Sequence, residues 1–258
     1  MKKLLVLLSV LFVSAVAVAH TIEWYVDGSL YQTTTCNSGD NVTPPTAPAK
    51  YGYDFVEWAR YYIRLEYIES TGTQYIDTGF KPNQNTRFLI EYSLATTQEE
   101  TKGIAAARTE YSVAQFGILM GQNSFRSDYG NGTAEIKYGA SFSNYVNSKV
   151  KADFNKNITT WYNSQNDIIQ QLSHSVQTFQ TSVSLYIFAL NDAGTANVQP
   201  NSKVYSFQLY DNDVLIRNFI PARRPADNAI GMYDTVTGTF FENAGTGEFI
   251  AGPVIGNL

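Results

Sequence analysis

Arg87-Phe88-Leu89-Ile90-Glu91-Tyr92-Ser93-Leu94 is the stretch that decides the fold class. Phe88, Ile90, Tyr92 and Leu94 fall on alternate positions, the period of two that marks a strand with one dry face. Lys203–Asp211 repeats the pattern with Tyr205, Phe207 and Leu209. Ser184–Leu190 is apolar on both faces, as a central strand of a sandwich must be. Asn131-Gly132, between Phe125–Tyr129 and Thr133–Tyr138, signals a type I′ hairpin, and Asp211-Asn212-Asp213 turns another. Only Trp161–Val176 reads as partly helical, against which Asn163, Ser164, Asn166 and Asp167 count.

Composition agrees with an all-β chain. Its 18 Tyr, 15 Phe and 3 Trp, with plentiful Thr, Val and Ile, suit pleated, half-buried surfaces. After residue 62 short strands alternate with Gly, Asn, Asp and Ser turns at regular spacing. A formal charge of −5 without a basic run argues against a nucleic-acid partner, whose phosphates demand clustered cations. Cys36 is the only cysteine, so no intrachain disulfide forms.

The N-terminus carries an address. Lys2 and Lys3 precede an apolar run, Leu4–Val16, and Ala17-Val18-Ala19 supplies the small residues of a signal-peptidase site. The run is shorter than the roughly 20 apolar residues of a spanning helix. The reading is a signal peptide over 1–19, a mature chain from His20 exported to periplasm, cell surface or medium, and no membrane insertion afterwards.

Residues 20–59 have their own pattern. A strand His20–Val26, a turn at Asp27-Gly28 and a strand Ser29–Thr35 lead to the extended connector Pro44-Pro45-Thr46-Ala47-Pro48. Ile22–Gly28, Gly39-Asp40, Pro44-Pro45 and Gly52-Tyr53-Asp54-Phe55-Val56-Glu57-Trp58 together resemble the internalin B-type (Listeria–Bacteroides) repeat. The resemblance implies a small β-grasp-like module with Trp24 and Trp58 in its core. It departs from the repeat at its end, where Arg60-Tyr61-Tyr62 runs straight on through a junction at 60–62.

Leu65-Glu66-Tyr67-Ile68-Glu69-Ser70-Thr71-Gly72-Thr73-Gln74-Tyr75-Ile76-Asp77-Thr78-Gly79 resembles the opening of concanavalin A-like (laminin G-like) domains. The blocks Tyr186–Asn191, Phe219–Arg224, Gly231–Gly238 and Asn243–Gly247 follow in the order of that group. Over 63–252 this implies a jelly-roll antiparallel β-sandwich, with a tail at 253–258. Such folds host lectins, adhesion modules and glycan-degrading enzymes alike, so fold does not fix function.

Glycosidases on this fold place acids as Glu-x-Asp-x-x-Glu on one strand face, and no such run occurs. Neither a His-Glu-x-x-His helix, a Gly-x-Ser-x-Gly elbow nor a phosphate loop is present. Asp211 and Asp213 form the closest acidic pair; a turn is the first reading and weak calcium ligation the second, with no other cofactor implied. A copper clasp of His20 with His174 would need both on one module, and they fall on different ones. The expectation is a non-catalytic binding or adhesion protein taking a glycan or a surface protein, with a structural spacer as the alternative. Exposed aromatics beside Asn and Asp would bind sugar, which nominates Asp128, Tyr129 and Asn131 with Trp161 and Tyr162. Trp161 also reads as core, because Ile158 and Tyr162 flank it along a strand.

Overall fold

The computed structural model describes residues 2–10, 20–26, 29–37, 42–60, 62–95, 100–121, 124–136, 145–225 and 227–257. The expected cleavage site at 17–19 and the turns at 27–28 and 38–40 lie outside them. No α-helix occurs among the described residues, and no helix there is long and apolar enough to cross a membrane. The chain divides into two units: Met1–Arg64 with Arg223–Ala229 and Ile255–Leu258, and Leu65–Ala222 with Ile230–Val254.

In the smaller unit four strands form one sheet: Lys2–Val10 (β1), His20–Val26 (β2), Ser29–Cys36 (β3) and Tyr53–Arg60 (β4), in the order β3-β2-β1-β4. β1 runs antiparallel to β2 and parallel to β4. Ile22 and Trp24 are buried, and the Trp24 indole donates to Thr34 Oγ1 at 2.8 Å. Ile63–Leu65 (β5) and Val254–Asn257 (β24) are short strands.

The larger unit is a sandwich of two sheets. One runs β15-β14-β13-β8-β19-β20-β21-β22: Ile168–Ser173 (β15), Ile158–Tyr162 (β14), Val150–Asn155 (β13), Thr86–Leu94 (β8), Asn201–Asp211 (β19), Val214–Arg223 (β20), Ile230–Asp234 (β21) and Thr239–Phe241 (β22). Ile68–Thr71 (β6) also pairs with β19, and Ile250–Ala251 (β23) with β6. The other runs β12-β11-β10-β9-β16-β7: Gly132–Ile136 (β12), Ser124–Gly130 (β11), Ala114–Gly121 (β10), Lys102–Glu110 (β9), Tyr186–Ile187 (β16) and Ile76–Asp77 (β7). Leu190–Asp192 (β17) joins it beside β9 and carries Thr195–Asn197 (β18).

Inner faces meet through rings. Phe88 and Phe154 of the first sheet lie 5.7 and 4.4 Å, centroid to centroid, from Phe116 of the second. Alternation on β8 is as expected: Phe88, Ile90 and Tyr92 are fully buried while Arg87, Leu89 and Glu91 point outward. Pairs of this kind add roughly 0.5–1.5 kcal/mol each beyond the area they bury.

Local geometry departs from expectation in three places. The β11–β12 hairpin pairs Tyr129 with Gly132, so its tip is Gly130-Asn131, one residue before the expected Asn131-Gly132. Gly130 takes φ +60°, the first-position glycine of a II′ turn. Trp161–Val176 is no helix but the β14–β15 hairpin, whose turn is closed by Asn163 Oδ1 accepting from the amides of Gln165 and Asp167 at 3.0 and 2.9 Å. Ser184–Leu190 is not one strand: Phe188 at φ +67° breaks it, and β16 and β17 approach Ala106 of β9 from opposite directions. At the β19–β20 turn Asn212 and Asp213 both have positive φ, the demand of a two-residue I′ turn that short polar side chains meet.

Candidate functional site

A groove of about 410 Å³ opens on the larger unit, lined by Gly72, Thr73, Tyr75, Gln199, Ala244, Gly245 and Thr246. Its first wall follows β6. Gly72 at φ +100° turns the chain, and the buried Gln74 side chain folds back on that turn, its Oε1 accepting from the Thr71 amide at 2.8 Å. The second wall is 243–247. Asn243 Oδ1 accepts from the amides of Tyr75 and Gly245 at 3.1 and 2.8 Å, and its Nδ2 donates to Gly247 O at 2.8 Å.

Backbone bonds close the walls together. Ala244 N–H donates to Tyr75 O at 2.9 Å and Thr246 N–H to Thr73 O at 3.2 Å, while Thr73 Oγ1 donates to Thr246 O at 2.9 Å. Gly245 is required here, because a Cβ would collide with Thr73 O and press on the Tyr75 ring. The bare glycine lets the 243–247 loop pack directly against that ring.

Tyr75 is half-buried and stacks on Tyr186, with centroids 4.5 Å apart and 27° between the planes. Burial, then the charges of Asp77 and Tyr75, push the Tyr186 hydroxyl up to about 12, so it stays a neutral donor. The described lining offers one braced aromatic ring, threonine hydroxyls, a glutamine amide and backbone groups, with no charged side chain. That set matches a polyhydroxylated ring, which needs an apolar face and paired donors and acceptors.

The residues nominated from sequence do not converge. Trp161 is fully buried and edge-on to Phe125 at 5.2 Å, and burial also pushes the nearby Tyr92 hydroxyl well up. Tyr129 is also interior, its hydroxyl donating to Gln84 O at 3.1 Å; burial raises it. Neither ring offers a face to a ligand. Asp128, only 2 % exposed, lies on the opposite side of β11, held by Arg126 through two 3.0 Å bonds and by Thr133 Oγ1 at 2.9 Å. Asn131 stands exposed at the hairpin tip, its amide donating to Gln177 Oε1 at 2.9 Å. Tyr162 sits half-buried on the outer face of the other sheet, under Lys151 at 4.6 Å.

Asp211 accepts from Asn83 Nδ2 at 3.1 Å and Asp213 pairs with Lys156 at 3.0 Å, so the two carboxylates turn to different partners. Among the described residues no three His, Cys, Asp or Glu side chains gather as a metal site would need. His174 is committed within the larger unit, its Nε2 2.9 Å from Ser127 Oγ. The groove residues Thr73, Tyr75 and Thr246 sit in blocks whose glycines and threonines read as turns, and Gln199 stands outside them. The available signal was the paired Gly-Thr in Gly72-Thr73 and Gly245-Thr246, two loops that bond to each other.

No protein-family model matches the chain, and no curated protein matches it. Solved structures share its outline. The CBM40 of the Ruminococcus gnavus IT-sialidase, bound to alpha2,3 sialyllactose, is 13% identical at a TM-score of 0.42, over 57% of this chain and 91% of that one. A Bacteroides ovatus protein described as carbohydrate binding is 8% identical at 0.49, over 93% and 70%. Domains LG4-5 of the mouse laminin alpha1 chain are 10% identical at 0.42, over 76% and 50%. With every one of these scores below 0.5, none bears on site or ligand.

Proposed function

We propose that this chain is an exported, non-catalytic carbohydrate-binding protein whose groove holds a sugar ring against Tyr75. One observation carries the reading: a half-exposed tyrosine, braced by Tyr186 and packed closely against Gly245, lines a groove rimmed with uncharged hydrogen-bonding groups. A ring already held in place loses little freedom on binding, which favours affinity from a small contact. The described lining carries no carboxylate, so the two acids that glycoside cleavage uses do not flank a bound sugar there. Export is supported by Lys2-Lys3, the apolar Leu4–Val16 and Ala17-Val18-Ala19.

The test is a glycan array probed with the exported chain and with Tyr75→Ala, with and without calcium. Binding that depends on Tyr75 supports the reading. Binding untouched by its loss moves the site elsewhere, and calcium-dependent binding would return attention to Asp211 and Asp213.

A further inference from the structure

On the outer face of the first sheet, Lys149 Nζ lies 4.1 Å above the Tyr205 ring and Lys203 Nζ 4.4 Å above the Tyr67 ring. The two rings meet edge to face at 5.5 Å, and the Tyr205 hydroxyl is 3.3 Å from Ser93 Oγ. Ser93 pairs with Lys203 across β8–β19, and continuing the β8–β13 register sets Lys149 beside it on the other flank. Two strand spacings therefore separate the lysines, about 10 Å.

The rings hold these ammonium groups without neutralising them, since a cation is attracted to a ring quadrupole and keeps its charge. Lys203 has Glu69 at 3.8 Å, whereas no described carboxylate stands within ion-pair distance of Lys149. The chain as a whole is acidic, at −5, so this is a local positive feature and no general attraction to polyanions.

Its position relative to the groove gives it meaning. β6 leads from Tyr67 past Glu69 and Thr71 into Gly72-Thr73, and Gln199 leads into β19 with Asn201 and Lys203. Glu69, Thr71, Asn201 and Lys203 fall on alternate positions of the outer face, opposite the buried Ile68, Ser70, Ser202 and Val204. Lys203 stands four residues beyond the groove's Gln199, roughly 13 Å along a strand. A ligand resting on Tyr75 and extended along β6 and β19 reaches Lys203 and then Lys149.

We infer that the groove ligand is a carboxylate-bearing glycan chain, with Tyr75 taking a sugar ring and the tyrosine-held Lys203 and Lys149 taking carboxylates farther along. This rests on the glycan reading of the groove and adds its charge class. The lysines are specificity-determining contacts; they take no part in any reaction.

The experiment is calorimetric titration of the exported chain with polygalacturonate, alginate and hyaluronate, each beside its carboxyl-reduced, neutral counterpart. At least one acidic polymer is expected to bind more tightly than its reduced form by about fivefold or more, the scale of two exposed charge contacts. That preference is expected to vanish near about 1 M salt, where screening is nearly complete. It is also expected to vanish in K149Q/K203Q and to persist in K149R/K203R, which keeps the charges. Equal binding of acidic and reduced forms, or an unchanged preference in K149Q/K203Q, overturns the inference. Failure of all three acidic polymers to bind overturns it as well. The groove reading is judged separately, by whether any neutral glycan binds and loses affinity in Tyr75→Ala.

Discussion

Tyr75 and Tyr186 stack with their ring centroids 4.5 Å apart, one ring lining the groove and the other behind it. Tyr186 is only 7% exposed and belongs to β16, whose other neighbours are β9 and β7. The ring available to a ligand is therefore mounted on the sandwich itself. Tyr186→Ala is expected to weaken glycan binding although Tyr186 lines no part of the groove, whereas Tyr186→Phe, which keeps the stacked ring and loses only the hydroxyl, keeps most of the binding. Equal binding by all three chains would show that the brace is irrelevant.

Gly245→Ala tests the groove wall. The added methyl meets Thr73 O, a backbone atom that cannot swing aside, so the 243–247 loop must part from the 73–75 segment. Binding should fall as far as in Tyr75→Ala, with a melting temperature lowered by several degrees, since about 1 kcal/mol shifts it roughly 2–4 °C in a unit of this size. Retained affinity would mean that this wall does not shape the site.

Trp161→Ala is expected to lower stability by about 3–5 kcal/mol, the usual cost of emptying a large buried aromatic site. The ring is fully enclosed and leans edge-on against Phe125. Chemical denaturation measures the loss, and molecules that remain folded should bind glycan normally. A variant as stable as the parent would contradict the core assignment.

Acid should weaken the fold through His174. Burial holds its imidazole below the usual histidine value, with the Asp128 charge opposing in part, and its ring packs near Tyr129 and Phe154. The folded chain therefore favours neutral His174, while the unfolded chain takes up a proton near pH 6.5. Its contribution is complete above about pH 6.5 and is lost as pH falls through the lower folded value. The melting temperature should decline across that window, before carboxylates protonate near pH 4, and His174→Gln should flatten the decline. Superimposable pH profiles for the two chains would refute the assignment.

Leader removal should act on one unit alone. Among the described residues β4 pairs only with β1 in its sheet, and β1 also pairs with β2. Cleavage after Ala19 deletes β1 and leaves β4 without its ladder. Hydrogen exchange of residues 20–258 should find Tyr53–Arg60 rapidly exchanging and Thr86–Leu94 still protected. Equal protection of both segments would show that β4 finds another partner.

Sequence carried the sheets well and the groove poorly, for physical reasons. Alternation in Arg87–Leu94 and the Asn212-Asp213 turn are local properties, written in neighbouring residues. The break at Phe188 is not local: its amide donates to Ile104 O at 2.8 Å, and a strand more than 80 positions earlier sets the backbone of an otherwise uniform apolar run. Trp161 sits among Thr159, Thr160 and Asn163, yet Thr159 and Thr160 are themselves buried, so polar neighbours in sequence did not mean an exposed site. The groove joins Thr73 to Thr246 across 173 positions, and nothing in either loop alone announces the other.

The most direct test of the central claim is the affinity of the exported chain and of Tyr75→Ala for the same array-identified glycan, with melting curves recorded in parallel. The expected result is a loss of about tenfold or more, typical of truncating a central aromatic contact, with a melting temperature lowered by only a few degrees for the lost Tyr186 stack. Equal affinity of the two chains for that glycan would contradict the claim that Tyr75 is the platform on which it rests.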